Sequence, residues 1–417
     1  MVDQAGPTGA VVDAEELGEL LVRLGALLLT YGCPTDRLEA CLRMAAEARG
    51  CRAEVLGLPT GVLLSLAIGD ANPVVHLVRV DGNDIDLGRL AALDDVFNDV
   101  ADDRVTLAEA GRRLDAVESA PPRYTPWAQV LAGAVASATT AHIFGGGLLT
   151  VALALPLGAL VMLLARFLNR NARTRLLEDF AIGALAGGAA WISVLIDPSL
   201  PRRPLVLAGV IIAVPGLTLT GGLSELAAKN LVSGTARLMD ATMVLLSLIF
   251  GLAVVATIEG WAAGASPPAL TPVSTLPPPA LAAASALLGA LCFSVLFGVP
   301  SRALPWAVLS GVLAWGTQLA AARWFVPGPS ASFLAAFAVG LFANARARVT
   351  QRPAQLYLLP GIVMLVPGCF GFVSFERLLW GDTGVGAADF FATLLTAGAL
   401  AIGLLLANAA LPARKVL

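Results

Sequence analysis

Charge is scarce in this 417-residue chain: Asp, Glu, Lys and Arg make up 14% of it, against 57% apolar residues. A soluble globular protein carries roughly 25% charged and 45–50% apolar residues, so a single water-soluble domain is excluded. So are a disordered chain and a nucleic-acid binder, because hydrophobicity is high and the net charge is only −3. Histidine is limited to His76 and His142, and the cysteines at 33, 41, 51, 292 and 369 form no CxxC pair. A disulfide scaffold is thereby excluded and a zinc site is not expected. The thiols read as reduced side chains in a cytosolic domain and as small fillers in a membrane. A secretory signal is also not expected, since Asp3, Asp13, Glu15 and Glu16 precede the first Arg. No Walker motif occurs, so ATP is not the direct energy source unless a partner supplies it.

The scarcity is uneven. Residues 1–126 hold 21 acids and 11 bases, a net of −10, whereas residues 127–417 hold 9 acids and 16 bases. The chain is two materials joined near Pro121-Pro122, and the first is read as a small cytosolic α+β domain over 1–122. Its leucines at 17, 20, 21, 24, 27 and 28 have helical spacing but are interrupted by Glu19 and Arg23, so this segment is a buried helix face and not a span. Asp36 and Glu39 have capping-box spacing and predict a second helix to about Arg49. Strands are expected over Arg52–Leu56, Gly61–Ile68 and Val74–Val80, followed by helices near 86–101 and 106–118. No Ser or Cys nucleophile motif accompanies His76, so enzymatic activity is not expected. The acid run Asp94, Asp95, Asp99, Asp102 and Asp103 is either a solvated face or a lure for a divalent cation.

From Trp127 onward, apolar stretches recur between Arg, Pro and Gly punctuation. Ten are expected to cross a hydrocarbon core of about 30 Å: 127–145, 148–166, 179–196, 204–222, 239–260, 279–298, 303–322, 330–345, 355–374 and 387–410. With the acidic domain in the cytoplasm, the loops placed inside hold thirteen Lys/Arg and those outside hold Arg202, Arg203, Arg323 and Arg377. That bias supports the count, cytoplasmic N- and C-termini, and a cell membrane location.

The membrane region repeats. Phe144-Gly145 recurs as Phe297-Gly298 and Gly158 as Gly311, while Val214-Pro215-Gly216 recurs as Val366-Pro367-Gly368, and Gly234 and Gly251 as Gly386 and Gly403. The shift is 153 residues for the first group and 152 for the second. The fold class expected is therefore membrane all-α, with ten transmembrane helices in two inverted five-helix repeats over 123–262 and 279–417. An external Pro-rich linker over 263–278 would join them. Five crossings reverse the chain, so the repeats must insert with opposite topology, an arrangement that places binding sites near the midplane between them.

Two Pro-Gly breaks fall at matching positions. Proline removes a backbone donor and glycine releases helical geometry, so Pro215-Gly216 and Pro367-Gly368 are either packing kinks or half-helix ends offered to a small zwitterion. Thr218, Thr220, Ser224 and Asn230 make the segment after the first break polar and join it as candidate substrate-binding residues. Glu225 either gates substrate entry or carries a coupling proton, or is merely hydrated at the interface. Arg237, Asp240 and Asp389 complete the coupling and gating set, with an ion pair conceivable between Arg237 and Asp389. His142 reads as a packing residue. No cofactor is expected. The partners implied are a small-molecule substrate, protons and the lipid bilayer, with room for a homo-oligomer.

The stretch Tyr31-Gly32-Cys33-Pro34-Thr35-Asp36-Arg37-Leu38-Glu39, with Gly50 and Pro59-Thr60-Gly61, resembles the soluble-domain signature of the threonine/serine exporter family. Pro215-Gly216, Gly221, Glu225-Leu226, Asn230, Ser233-Gly234 and Ala236-Arg237-Leu238 resemble the signature after that family's fourth span. Cys33 stands where the family turn has a small Ala. The resemblance implies a cytosolic domain, ten spans in two units, and export of small hydroxylated amino acids driven by the proton motive force. It also implies that Arg37 and Glu39 form a structural or regulatory pair. A split relative associated with dicarboxylate export leaves a succinate-like substrate as the alternative, and a membrane-tethered hydrolase-like domain is the other.

Overall fold

The structure is a computed structural model that describes residues 8–412, apart from 70, 81, 83, 265–276, 325–327, 366–367 and 381–382. Three strands, β1 (Cys51–Leu58), β2 (Gly61–Ile68) and β3 (Val74–Arg79), form an antiparallel sheet in that order. Helices α1 (Thr8–Thr30) and α2 (Thr35–Ala48) pack against the sheet, and Leu21, Leu24, Leu42, Val62, Leu64 and Leu66 are fully buried there. The helical leucine spacing and the alternating strands meet in this core. Helices α3 (Leu87–Ala101) and α4 (Leu107–Ser119) complete the unit. Asp86 caps α3 by accepting from the Gly88 and Arg89 amides at 3.0 Å.

The expected capping box does not form. Pro34 occupies the N-cap of α2 and offers no side-chain acceptor, while Glu39 reaches across to accept from the Gly57 amide at 2.8 Å. The acid run is tied to arginines: Asp95 to Arg352, Asp99 to Arg104 and Arg113, and Asp103 to Arg49. Among the described residues, no group of three or more His, Cys, Asp and Glu is placed to hold a metal.

The hydrophobic core of this domain continues into the membrane region through Val299, Ala303, Ala343, Leu356 and Tyr357. Backbone contacts fix the junction, with Leu87 N donating to Phe297 O at 2.8 Å and the Tyr124 hydroxyl to Val299 O at 2.8 Å. The two materials seen in the composition thus share one core.

The membrane region contains α5 (Pro126–Ile143), α6 (Leu148–Leu168), a short α7 (Ala172–Arg175), α8 (Glu178–Ile196), α9 (Arg202–Val210), α10 (Gly216–Ala227) and α11 (Leu231–Ala263). It continues with α12 (Pro279–Leu296), α13 (Leu304–Trp324), α14 (Pro329–Thr350), α15 (Gln355–Val363), α16 (Gly368–Leu379) and α17 (Thr383–Ala410). Among the described residues, eight of the ten expected crossings are long and apolar enough to span a bilayer, with α15 and α16 counted as one stretch. Two depart. Gln129, Ser137, Thr139, Thr140 and His142 dilute the hydropathy of α5, and 204–222 is split into α9 and α10. At the split, Ala213 N and Val214 N share Val210 O and Gly216 N turns to Val214 O, so the helical ladder stops at Pro215.

Packing partners in the second half repeat those in the first. Helix α5 packs on α6, α8 on α11, and α10 on α11; correspondingly α12 packs on α13, α14 on α17, and α16 on α17. Close approaches repeat too: Gly158 faces Ser137 as Gly311 faces Ala290, and Gly209 faces Leu157 and Ala186 as Gly361 faces Ser310 and Val339. Helix α11 begins beside the soluble domain at Ser233, whereas α17 ends beside it at Asn408. Helix α8 starts near Arg175, which touches Gly82, and its 19 residues carry the chain about 28 Å away to the far end.

Candidate functional site

A cavity of about 190 Å³ lies between the start of α2 and helices α10, α15 and α17. Its walls are mixed: Leu217, Leu358, Leu359 and Ile362 supply apolar surface, and Thr218, Thr220, Ser224, Gln355 and Asn408 supply polar groups. The turn Gly32-Cys33-Pro34 with Asp36 and Arg37 closes the soluble-domain side. Gly32 has φ +97, a backbone that suits glycine, and this turn presents the first residues of α2 to the cavity.

One wall is a polar cluster centred on Glu225, which is 5% exposed. The Arg237 Nε donates to both carboxylate oxygens at 3.1 Å. The Ser233 hydroxyl donates at 2.6 Å, and the Thr35 hydroxyl donates from α2 at 2.9 Å. This buried carboxylate is therefore paired with a cation and hydrogen-bonded, as burial of a charge requires. The cluster also ties the soluble domain to α10 and α11.

The opposite condition holds at other lining residues. Thr220 and Gln355 are 3% and 2% exposed, yet Thr220 Oγ1, Gln355 Oε1 and the half-buried Ser224 Oγ find no protein partner. Three residues that line one cavity thus carry buried polar atoms without a protein partner, which is costly unless water or a ligand satisfies them. Burial pushes the Cys33 thiol, in the cavity wall, far above its ordinary value, and the Cys41 thiol of α2 likewise.

Of the residues singled out in the sequence, Thr218, Thr220, Ser224, Glu225 and Arg237 line the cavity together. Pro215 and Gly216 are the N-cap and first residue of α10, one step before the first lining residue, Leu217. Asn230 stands at the N-cap position of α11 without a side-chain cap bond and Asp240 is exposed on that helix, neither lining the cavity. Gly368 opens α16 and is buried, whereas Pro367 lies outside the described residues. Arg237 and Asp389 do not pair with each other; Asp389 is bonded to Arg377. His142 Nδ1 is 2.8 Å from Ser285 Oγ, a packing contact between α5 and α12. Sequence reasoning passed over Gln355 and Asn408, whose only signal was a lone amide within each of two apolar stretches.

A polar cavity between interrupted helices of a multi-pass helical protein is the arrangement of a membrane transporter. The family described as "Putative threonine/serine exporter" matches residues 19–259, and that described as "Threonine/Serine exporter, ThrE" matches residues 282–410. The chain belongs to the threonine/serine exporter family. It is 26% identical over 398 residues to a "Probable threonine/serine exporter" of Mycobacterium tuberculosis, covering 93% of this chain and 74% of that protein. It is 28% identical over 367 residues to an uncharacterised protein of Schizosaccharomyces pombe, covering 86% of this chain and 48% of the relative. With "Pheromone-regulated membrane protein 10" of Kluyveromyces lactis it shares 24% identity over 393 residues, 92% of this chain and 40% of that one. The chain thus spans about half or less of the fungal proteins. No solved structure matches it.

Proposed function

We propose that this protein exports a small zwitterionic amino acid, L-threonine or L-serine, across the cell membrane by antiport with protons. The carrying observation is the set of unpartnered polar atoms, Thr220 Oγ1, Ser224 Oγ and Gln355 Oε1, in a cavity sized for a small metabolite. The first turn of α10 adds backbone N–H groups and a positive dipole end suited to a carboxylate. The C-terminal end of α15, at Ile362 in the same wall, adds carbonyls suited to an ammonium. Thr220, Ser224 and Gln355 are then left for a side-chain hydroxyl.

Ten crossings in two inverted five-span units, with both termini cytoplasmic, accommodate the paired packing and opposed helix directions. In that frame α5 crosses despite its polar residues, and α9 with α10 makes one broken span. Glu225 holds Arg237, Ser233 and Thr35 together, so breaking this cluster would release α2 and gate the cavity.

Counterflow in proteoliposomes with labelled threonine, serine and succinate, with and without a pH gradient, tests this reading. Saturable threonine or serine flux that responds to the gradient is expected. Succinate flux alone would move the substrate class to dicarboxylates, flux indifferent to the gradient would remove the antiport, and no saturable flux of any of the three would overturn the proposal.

A further inference from the structure

We infer that the protein has a second, exit-side vestibule at the far end, the repeat counterpart of the large cavity, shut in this structure by two buried ion pairs. A residual space of about 20 Å³ lies between α8, α9, α11 and α16; Arg202, Glu259 and Ala190 line it, and so do Gly187, Leu252, Ala256 and Trp380. Shifted by 153 residues, Gly187 becomes Gly340; shifted by 152, Leu252 and Ala256 become Leu404 and Asn408. Trp380 shifted back by 152 is Ala228. These four counterparts, of the seven lining residues, stand in the wall of the large cavity, so the two spaces are read as one site built twice, expanded at the soluble-domain end and collapsed at the other.

The same shift explains what fills the collapsed copy. Gln355 and Ser224, which leave polar atoms unpartnered in the large cavity, correspond to Arg203 and Glu376. At the far end these two are joined at 3.0 Å with side chains only 12% and 3% exposed. Beside them Arg202 grips both oxygens of Glu259 at 2.9 and 2.7 Å. The two pairs tie α9 to α11 in its own half and to α16 in the other, and the Trp380 indole occupies the room that Ala228 leaves open. Buried ion pairs suit a gate: desolvation offsets most of their attraction, so water entering an opened vestibule rehydrates the charges and the two states stay close in free energy.

The inference takes the word exit from the transport reading, but its test needs no substrate. Single cysteines at the matched positions, A256C and N408C, are alkylated with N-ethylmaleimide in the detergent-solubilised full chain and followed by intact mass; the five native thiols are buried. Asn408 is exposed and Ala256 buried, so N408C reacts fast and A256C slowly in the otherwise unaltered chain. Adding Glu376→Gln is expected to speed A256C at least tenfold and to slow N408C several-fold, and the exchange R203E with E376R to return both to their starting rates. Glu259→Gln provides the same readout should Glu376→Gln fail to fold. An unchanged A256C rate in both variants overturns the inference. So does a rise at both positions together, which is loosening without alternation. Absence of transport in proteoliposomes would sink the export reading while leaving these rates to decide the gate.

Discussion

Arg237 Nε sits 3.1 Å from both carboxylate oxygens of Glu225, and at the positions 152 residues further on the pair recurs as Arg377 with Asp389, the charges exchanged. In the first half the acid is on the helix after the break and the base on the long helix; in the second half the base is on α16 and the acid on α17. The shared geometry requires opposite charges at the two positions and leaves the sign at each one open. The sign matters only on the soluble-domain side, where Thr35 and Ser233 donate to the acid.

Glu225→Gln is therefore expected to leave the Arg237 guanidinium, 14% exposed, without its counter-charge. Breaking a buried pair in this way costs about 3–5 kcal/mol. The exchange E225R with R237E copies the arrangement of the second half and should recover most of the pair but not the Thr35 bond, because an arginine cannot accept from a hydroxyl. Thermal unfolding in detergent, wild type against both variants, reads the difference; equal losses in the single and double variants would contradict the pairing.

Gln355→Leu and Thr220→Val remove buried polar atoms that have no protein partner. Their expected signature is a split. The empty protein should be unchanged or slightly more stable, since an unsatisfied group is deleted, while threonine affinity falls about tenfold, or about 1.4 kcal/mol. Melting temperature without substrate and the concentration dependence of counterflow measure the two arms. Destabilisation by both variants would mean that these atoms have a structural role instead.

The strands were readable because β-branched runs were bounded by Pro59 and Pro73, and the split of 204–222 because Pro215 cannot continue a helix ladder. What long-range contact decides was not readable. Local spacing suggested that Asp36 and Glu39 cap α2, yet Glu39 bonds Gly57 from the adjoining strand. Nothing local to Glu225 points to Thr35, 190 residues earlier in the chain. The repeat shift aligns Arg237 with Asp389, but in the structure each is bonded within its own half, Arg237 to Glu225 and Asp389 to Arg377. Hydropathy marks which residues enter the apolar region and says little about which face turns to a cavity, and for that reason Gln355 escaped notice.

Gly183 and Gly251 hold α8 and α11 together at backbone distance. A Cβ on Gly183 would fall 2.0 Å from Leu248 O, and one on Gly251 2.1 Å from Phe180 O. Either Ala substitution must push the helices apart, for about 1–3 kcal/mol or more, because small residues let membrane helices approach closely. Gly188 has nothing within 4 Å of its would-be Cβ, so Gly188→Ala should be neutral or add up to about 1 kcal/mol through helix propensity. Comparable losses at all three sites would show that the helix contact is not what these glycines serve.

Cys33 and Cys41 make the stability of the soluble domain sensitive to alkali. Burial raises both thiols above the ordinary value of about 8.5, so below that pH folded and unfolded chains hold the same protons there. As pH rises through about 8.5 the unfolded thiol ionises while the folded one stays protonated. Stability then falls by up to about 1.4 kcal/mol per pH unit for each thiol until the folded value is reached. Other groups titrate in this range, so the informative quantity is the difference from C33A/C41A, in which this slope should vanish while the tyrosine and lysine contributions remain. Hydrogen exchange of α2 amides under reducing conditions between pH 8 and 10, normalised for intrinsic rates, measures it. Parallel pH profiles for the two proteins would mean that the thiols ionise in place, and would contradict the sealed packing of the turn that carries Thr35 to Glu225.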